Sequence, residues 1–124
     1  MQIIHSDTAP RAIGPYSQAV KAANVIYTSG QVSLDPATGE LVKGDFAAHV
    51  RRTLDNLAAV LRAAGAEFRH VIKANVFVTD LKNFQTLNSI YTEYFGDHKP
   101  ARTTVQVAGL PKDAPVEIDL IAVV

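Results

Sequence analysis

Apolar residues recur along this chain at two different periods, and each change of period marks an element. From Phe46 they fall at Phe46, Val50, Leu54, Leu57, Leu61 and Ala64. Steps of three or four describe one face of an α-helix. Asp45 stands where an N-cap belongs and Gly65 where a helix ends. Residues 71–78, VIKANVFV, are rich in β-branched side chains and predict a strand. Asp80 is placed to cap a second helix carrying Leu81, Phe84, Leu87, Tyr91 and Phe95 on one stripe, with Gly96 at its end. Short alternating segments near 17–22 and 25–32, broken at Ala23 and Asn24, predict a tight antiparallel pair, and DPATGE, 35–40, a turn. Two further strands are expected over 101–107 and 116–124, joined by AGLPKDAP.

Strands and helices in this order predict a single α+β domain over residues 1–124, with a mixed sheet of about six strands and two helices packed on one face. Two helices with one apolar stripe each leave the other sheet face uncovered. In the last strand Val116, Ile118, Leu120, Ala122 and Val124 form one side, while Glu117, Asp119, Ile121 and Val123 form the other. Both sides carry apolar residues, so a second copy of the chain is expected to cover the open one.

Composition narrows the function. Twelve Lys plus Arg balance twelve Asp plus Glu. No overall field therefore draws in nucleic acid or anionic lipid. There is no cysteine, which removes disulfides, thiolate metal sites and thiol nucleophiles. The opening residues, MQIIHSDTAP, lack the basic and apolar regions of a leader, and no later apolar run reaches membrane-spanning length. A soluble, cytoplasmic protein is expected.

One residue breaks the pattern of the fifth strand. In ARTTVQV, 101–107, alternation sets Arg102, Thr104 and Gln106 on one face and Ala101, Thr103, Val105 and Val107 on the other. If this strand pairs with 116–124, matching apolar faces puts Arg102 beside Glu117 and Asp119, on the side without helices. Two readings are then open. Arg102 forms a cross-strand or intersubunit ion pair with one of these acids, or it binds a small carboxylate, for which a permanently charged planar fork is suited. In the second reading Glu117, in a drier setting, acts as general acid or base.

The segments AIGPYSQAV, YTSGQV, TGE, TLDNLAAVL, KANVFVTDL and PARTTVQVAGLPKDAPVEIDLIAV follow one another in an order and spacing that resemble the RidA (YjgF) family of reactive-intermediate deaminases. The resemblance implies a chorismate-mutase-like fold, a homotrimer whose sheets form a central barrel, and clefts at the subunit boundaries. It implies hydrolysis of 2-imino acids such as 2-iminobutanoate and 2-iminopropanoate, or their enamines, to 2-keto acids and ammonia, without cofactor or metal. Arg102 matches the carboxylate-binding arginine and Glu117 the acid that positions or activates water. Tyr16, Ser29 and Gly30 match residues lining the cleft, and Asn88 a further pocket position. Thr104 falls where many relatives carry cysteine, so thiol chemistry is excluded here.

Other residues carry plainer expectations. Ser29 lacks the nucleophile-elbow context and is expected to bond backbone. His5, His49, His70 and His98 have no metal-ligand spacing, and His49, beside Arg51 and Arg52, is expected to be solvated. Lys73 and Asn75 read as structural. Two rival functions remain: a non-catalytic sensor of small carboxylates using the same cleft, and an RNA-acting translation inhibitor, which the neutral charge disfavours.

Overall fold

The Asp45 carboxylate accepts the Ala48 N–H at 3.0 Å, satisfying one of the orphan donors at the start of a helix. The computed structural model, which describes residues 1–124, contains in chain order β1 (Gln2–Ile4), β2 (Ala19–Ala22), β3 (Val25–Thr28), α1 (Phe46–Ala63), β4 (Val71–Val78), α2 (Phe84–Phe95), β5 (Ala101–Gln106) and β6 (Val116–Val123). Gly65, at φ +81°, closes α1 in the left-handed region. Val50, Leu54, Leu57 and Leu61 are fully buried, as the stripe predicts. The second helix begins later than expected. Asp80 caps a single 3-10 turn, Leu81–Asn83, and α2 proper starts at Phe84.

The sheet order is β1-β2-β3-β6-β4-β5. Only β4 and β5 run parallel, because α2 carries the chain back to the starting end of the sheet. Both helices cover one face, and β6 lies between β3 and β4 with Val116, Ile118, Leu120 and Ala122 buried beneath them. β1 was not foreseen, and β2 and β3 are shorter than their alternating segments because the chain leaves the sheet after Thr28.

The expected pairing of the last two strands does not occur. β4 separates β5 from β6, and its register sets Ala74 opposite Arg102 and Val76 opposite Thr104, while Asn75 and Phe77 stand opposite Asp119 and Glu117. Arg102 and Thr104 therefore lie on the helix side. Glu117 and Asp119 lie on the open side. Alternation along β5 was read correctly, but an edge strand can turn its polar set towards the helices where their cover is incomplete, and that decides the face.

His49 is also not solvated. It is buried, and its Nδ1 lies 2.6 Å from the Ser33 hydroxyl. Thr53 and Asn56 continue a polar stripe beside the apolar one, and the Asn56 amide donates to the carbonyls of Val32 and Leu34 at 3.1 and 2.9 Å. These bonds lash residues 32–34 to α1. The open sheet face carries Ile3, Val20, Tyr27, Ile121, Phe77 and Val105, of which Ile3 is 64% exposed and Tyr27 48%. No helix reaches it.

Candidate functional site

The predicted site residues fall into two groups on opposite faces of the sheet. The first surrounds Glu117. After β3 the chain is held against β6 by paired backbone bonds between Gln31 and Ile118, which presses Gly30 onto the Glu117 side chain. A Cβ at residue 30 would stand 2.8 Å from the Glu117 carboxyl carbon and 2.9 Å from an oxygen. A side chain at residue 30 would therefore displace the Glu117 carboxylate from its present position.

Arg11, Ile13, Tyr16, Gly30, Lys112 and Glu117 share one cavity of about 240 Å³. The loop carrying the first three is pinned by the buried Gln18 amide, which donates to the Ser6 and Pro10 carbonyls at 3.1 and 2.8 Å and accepts the Ser6 N–H. Ser29 donates its hydroxyl to the Ser17 carbonyl, the backbone-bonding role expected for it. Tyr16 lines the cavity and remains 53% exposed. Lys112 and Asp113 both adopt left-handed backbone, at φ +58° and +59°, in the tight turn that brings Lys112 to the rim. Neither Arg11 nor Lys112 has a carboxylate within 4.0 Å.

Burial raises the Glu117 pKa above the usual glutamate value, and the like charge of Asp119 adds to the rise. Asp119 is itself held by the Asn75 amide, which donates to it at 2.8 Å. Lys73 donates to Thr103 at 2.8 Å. The structural reading of Lys73 and Asn75 thus stands, with the addition that Asn75 orients the acid next to Glu117.

The second group surrounds Arg102. One guanidinium nitrogen donates to Asn88 Oδ1 at 2.7 Å, which joins β5 to α2. The guanidinium carbon lies 4.8 Å from the Tyr91 ring centroid and 5.6 Å from that of Phe84. No carboxylate lies within 4.0 Å of Arg102, so an ion pair with Glu117 or Asp119 is excluded within the chain. The hydroxyls of Thr104 and Tyr91 are buried and have no hydrogen-bond partner. A buried orphan hydroxyl calls for a partner from elsewhere.

Each group is thus chemically incomplete. Glu117 faces a cavity with Arg11 and Lys112 at its rim, neither within 4.0 Å of it, and Arg102 keeps free donors with no acid. Two strand spacings, about 10 Å, and the thickness of the sheet separate the two within one chain. A molecule of amino-acid size cannot touch both. No three His, Asp or Glu side chains converge as a ligand set for a metal ion. Arg11, Lys112 and the aromatic pair Phe84 and Tyr91 were not singled out by the sequence. Phe84 and Tyr91 sit on the helical stripe that packing alone explains, and only the register of β5 brings Arg102 over them.

Residues 6–124 match the profile of the endoribonuclease L-PSP family. RidA from a Psychrobacter species superposes with a TM-score of 0.96 at 44% identity, covering 100% of both chains. The chain belongs to the RidA family. Among RidA relatives, a protein of Bos taurus named 2-iminobutanoate/2-iminopropanoate deaminase is 48% identical over 98% of this chain and 89% of its own length. Escherichia coli TdcF, solved with bound serine, superposes with a TM-score of 0.95 at 43% identity, covering 100% of this chain and 99% of that one. The six-stranded mixed sheet with two helices on one face is the RidA fold that the sequence motifs implied. No helix is long and apolar enough to cross a membrane.

Proposed function

We propose that this protein hydrolyses 2-imino acids to 2-keto acids and ammonia at sites completed between copies of the chain, Arg102 coming from one copy and Glu117 from its neighbour. The observation that carries this reading is the division of the predicted site: Arg102 keeps free donors with no acid near it, and Glu117 stands on the opposite face of the sheet with no cation within 4.0 Å. The uncovered apolar face beside Glu117 favours an assembly of copies, family membership favours three of them, and the names of the deaminase relatives favour the reaction.

A protonated imine is electrophilic at C2, so hydrolysis calls for orientation and proton transfer more than for a strong nucleophile. Arg102 binds the substrate carboxylate, with Asn88 and the Thr104 hydroxyl beside it. Glu117 takes a proton from water as the oxygen adds to C2, giving a carbinolamine. The proton then passes to nitrogen, the C–N bond breaks with its electron pair going to ammonia, and the hydroxyl proton returns to Glu117 as the keto group forms. Gly30 sets the position of Glu117, Ser29 anchors the loop at that position, and Tyr16 closes the cavity mouth. No step needs a cofactor.

Gly30→Ala tests the placement of Glu117. The added methyl displaces the carboxylate, and kcat/KM is expected to fall about tenfold to a hundredfold. The melting temperature should change little, since the cavity side is open. Full activity in this variant would remove the close contact from the mechanism.

Mixing tests the division of the site. Arg102→Ala and Glu117→Gln, each inactive alone, are unfolded and refolded together. If trimers form at random, about three-quarters contain both variants and each of those holds one intact site in three, so about a quarter of the parent activity returns. No recovery beyond the sum of the two parents would refute a site shared between copies. Steeply salt-dependent RNA binding would instead favour the rival nucleic-acid reading.

A further inference from the structure

The guanidinium of Arg102 has a defined seat. It does not simply project from an edge strand. Its central carbon stands over the Tyr91 ring, 4.8 Å from the centroid, and one nitrogen is tied at 2.7 Å to Asn88 on the preceding turn of α2. Tyr91 is in turn held from behind. It is 8% exposed, and its ring stacks on Phe95 with 4.1 Å between centroids and an interplanar angle of 11°. Phe95 packs against Phe68 at 4.9 Å. A column of rings thus runs from the core to the underside of the guanidinium.

Orientation is what such a column supplies. A free arginine samples many rotamers, and a ligand carboxylate must select one of them, whereas a guanidinium already seated over an aromatic ring and bonded to Asn88 keeps its remaining donors in a narrower range of directions. The Tyr91 hydroxyl takes no part in this. It is buried without a hydrogen-bond partner, and burial raises its pKa, so it stays neutral and is no counter-charge to Arg102.

We propose that Tyr91 is a positioning residue of the Arg102 clamp, its ring and not its hydroxyl holding the guanidinium plane in the orientation that binds a carboxylate. This rests on the assignment of Arg102 as the carboxylate ligand. The consequence is specific: affinity for small 2-oxo and 2-imino carboxylates depends on the aromatic face of residue 91, while the chemical step does not.

The test compares Tyr91→Leu, Tyr91→Phe and Arg102→Ala with the parent oligomer. Binding of 2-oxobutanoate, a stable keto acid of the product class, is measured by calorimetry, and KM and kcat are measured on 2-iminobutanoate generated in situ. Tyr91→Leu is expected to raise both Kd and KM about five- to thirtyfold with kcat held within about threefold, the range of a desolvated cation–π contact. Tyr91→Phe, which keeps the ring face and removes only the hydroxyl, should restore both. Tyr91→Phe as weak as Tyr91→Leu would assign the effect to the hydroxyl and overturn the proposal. Unchanged Kd and KM in Tyr91→Leu, or a loss confined to kcat and thermal stability, would overturn it too. If Tyr91→Leu does not assemble, Tyr91→Met, unbranched and without a ring face, takes its place with the same expectation. Should Arg102→Ala bind 2-oxobutanoate as tightly as the parent, the Arg102 assignment itself fails, whatever residue 91 does.

Discussion

Replacing Arg102 by alanine is expected to lower kcat/KM for 2-iminobutanoate about a hundredfold to a thousandfold, the cost of leaving a partly desolvated carboxylate without its charged partner. The loss should appear chiefly as failure to saturate, since the variant keeps Glu117. Arg102 forms no ion pair within the chain and its only direct hydrogen bond is to Asn88, so folding should be nearly unaffected. Arg102→Lys should recover little. An ammonium has neither the planar fork that engages both carboxylate oxygens nor the planar group seated over Tyr91. Steady-state kinetics with a coupled source of imine, together with the melting temperature, separate this outcome from misfolding. Parent-like saturation in Arg102→Ala would remove the carboxylate clamp from the mechanism.

Glu117→Gln carries the second large effect. Removing a general base typically costs about 10² to 10⁴ in rate, and kcat is expected to fall within that range. Binding of 2-oxobutanoate should persist, because glutamine keeps the shape and polarity of the side chain. That combination separates an enzyme from a sensor. A sensor would show the retained binding with no parent turnover to lose.

The same variant reports on pH. Burial, reinforced by Asp119, raises the Glu117 pKa, so the folded chain holds this proton more tightly than the unfolded chain does. Glu117 therefore contributes stability below its unfolded pKa, and that contribution is lost as the pH rises through its raised folded value. Glutamine does not titrate. Relative to the parent, Glu117→Gln should gain thermal stability at neutral pH, and the gain should shrink as the pH falls towards the carboxylate range. For activity the direction is complementary: the parent should lose kcat on the acid side at a pH above the usual glutamate range, as its base becomes protonated. An acid limb at the value of a free carboxylate would show that Glu117 is solvated in the working assembly.

Much of the fold was legible because it is written in local periods. The stripe from Phe46 to Leu61 has one helical face wherever it is placed, and Asp45 and Gly65 bound it by backbone chemistry that needs no tertiary partner. The alternation of Val116, Ile118, Leu120 and Ala122 likewise survived intact, since β6 is buried on that face along its whole length. His49 was misread for the opposite reason. Polar residues at 49, 53 and 56 look like a solvated flank in projection, and only the return of residues 32–34 across α1 supplies the serine and carbonyls that satisfy them. A polar stripe at helical spacing beside an apolar one was the available signal.

Sequence alone determined which residues are candidates for the chemistry, because charge, donor geometry and the absence of cysteine belong to the side chains themselves. Tertiary structure decided where they stand. Placing β4 between β5 and β6 held Arg102 apart from Glu117, and the register of β4 with β5 set the two on opposite faces, against the pairing that their short connection suggested. Strand order depends on which edges bury the most apolar surface once the helices have docked. That is a property of the whole packed chain, and no stretch of it taken singly contains the answer.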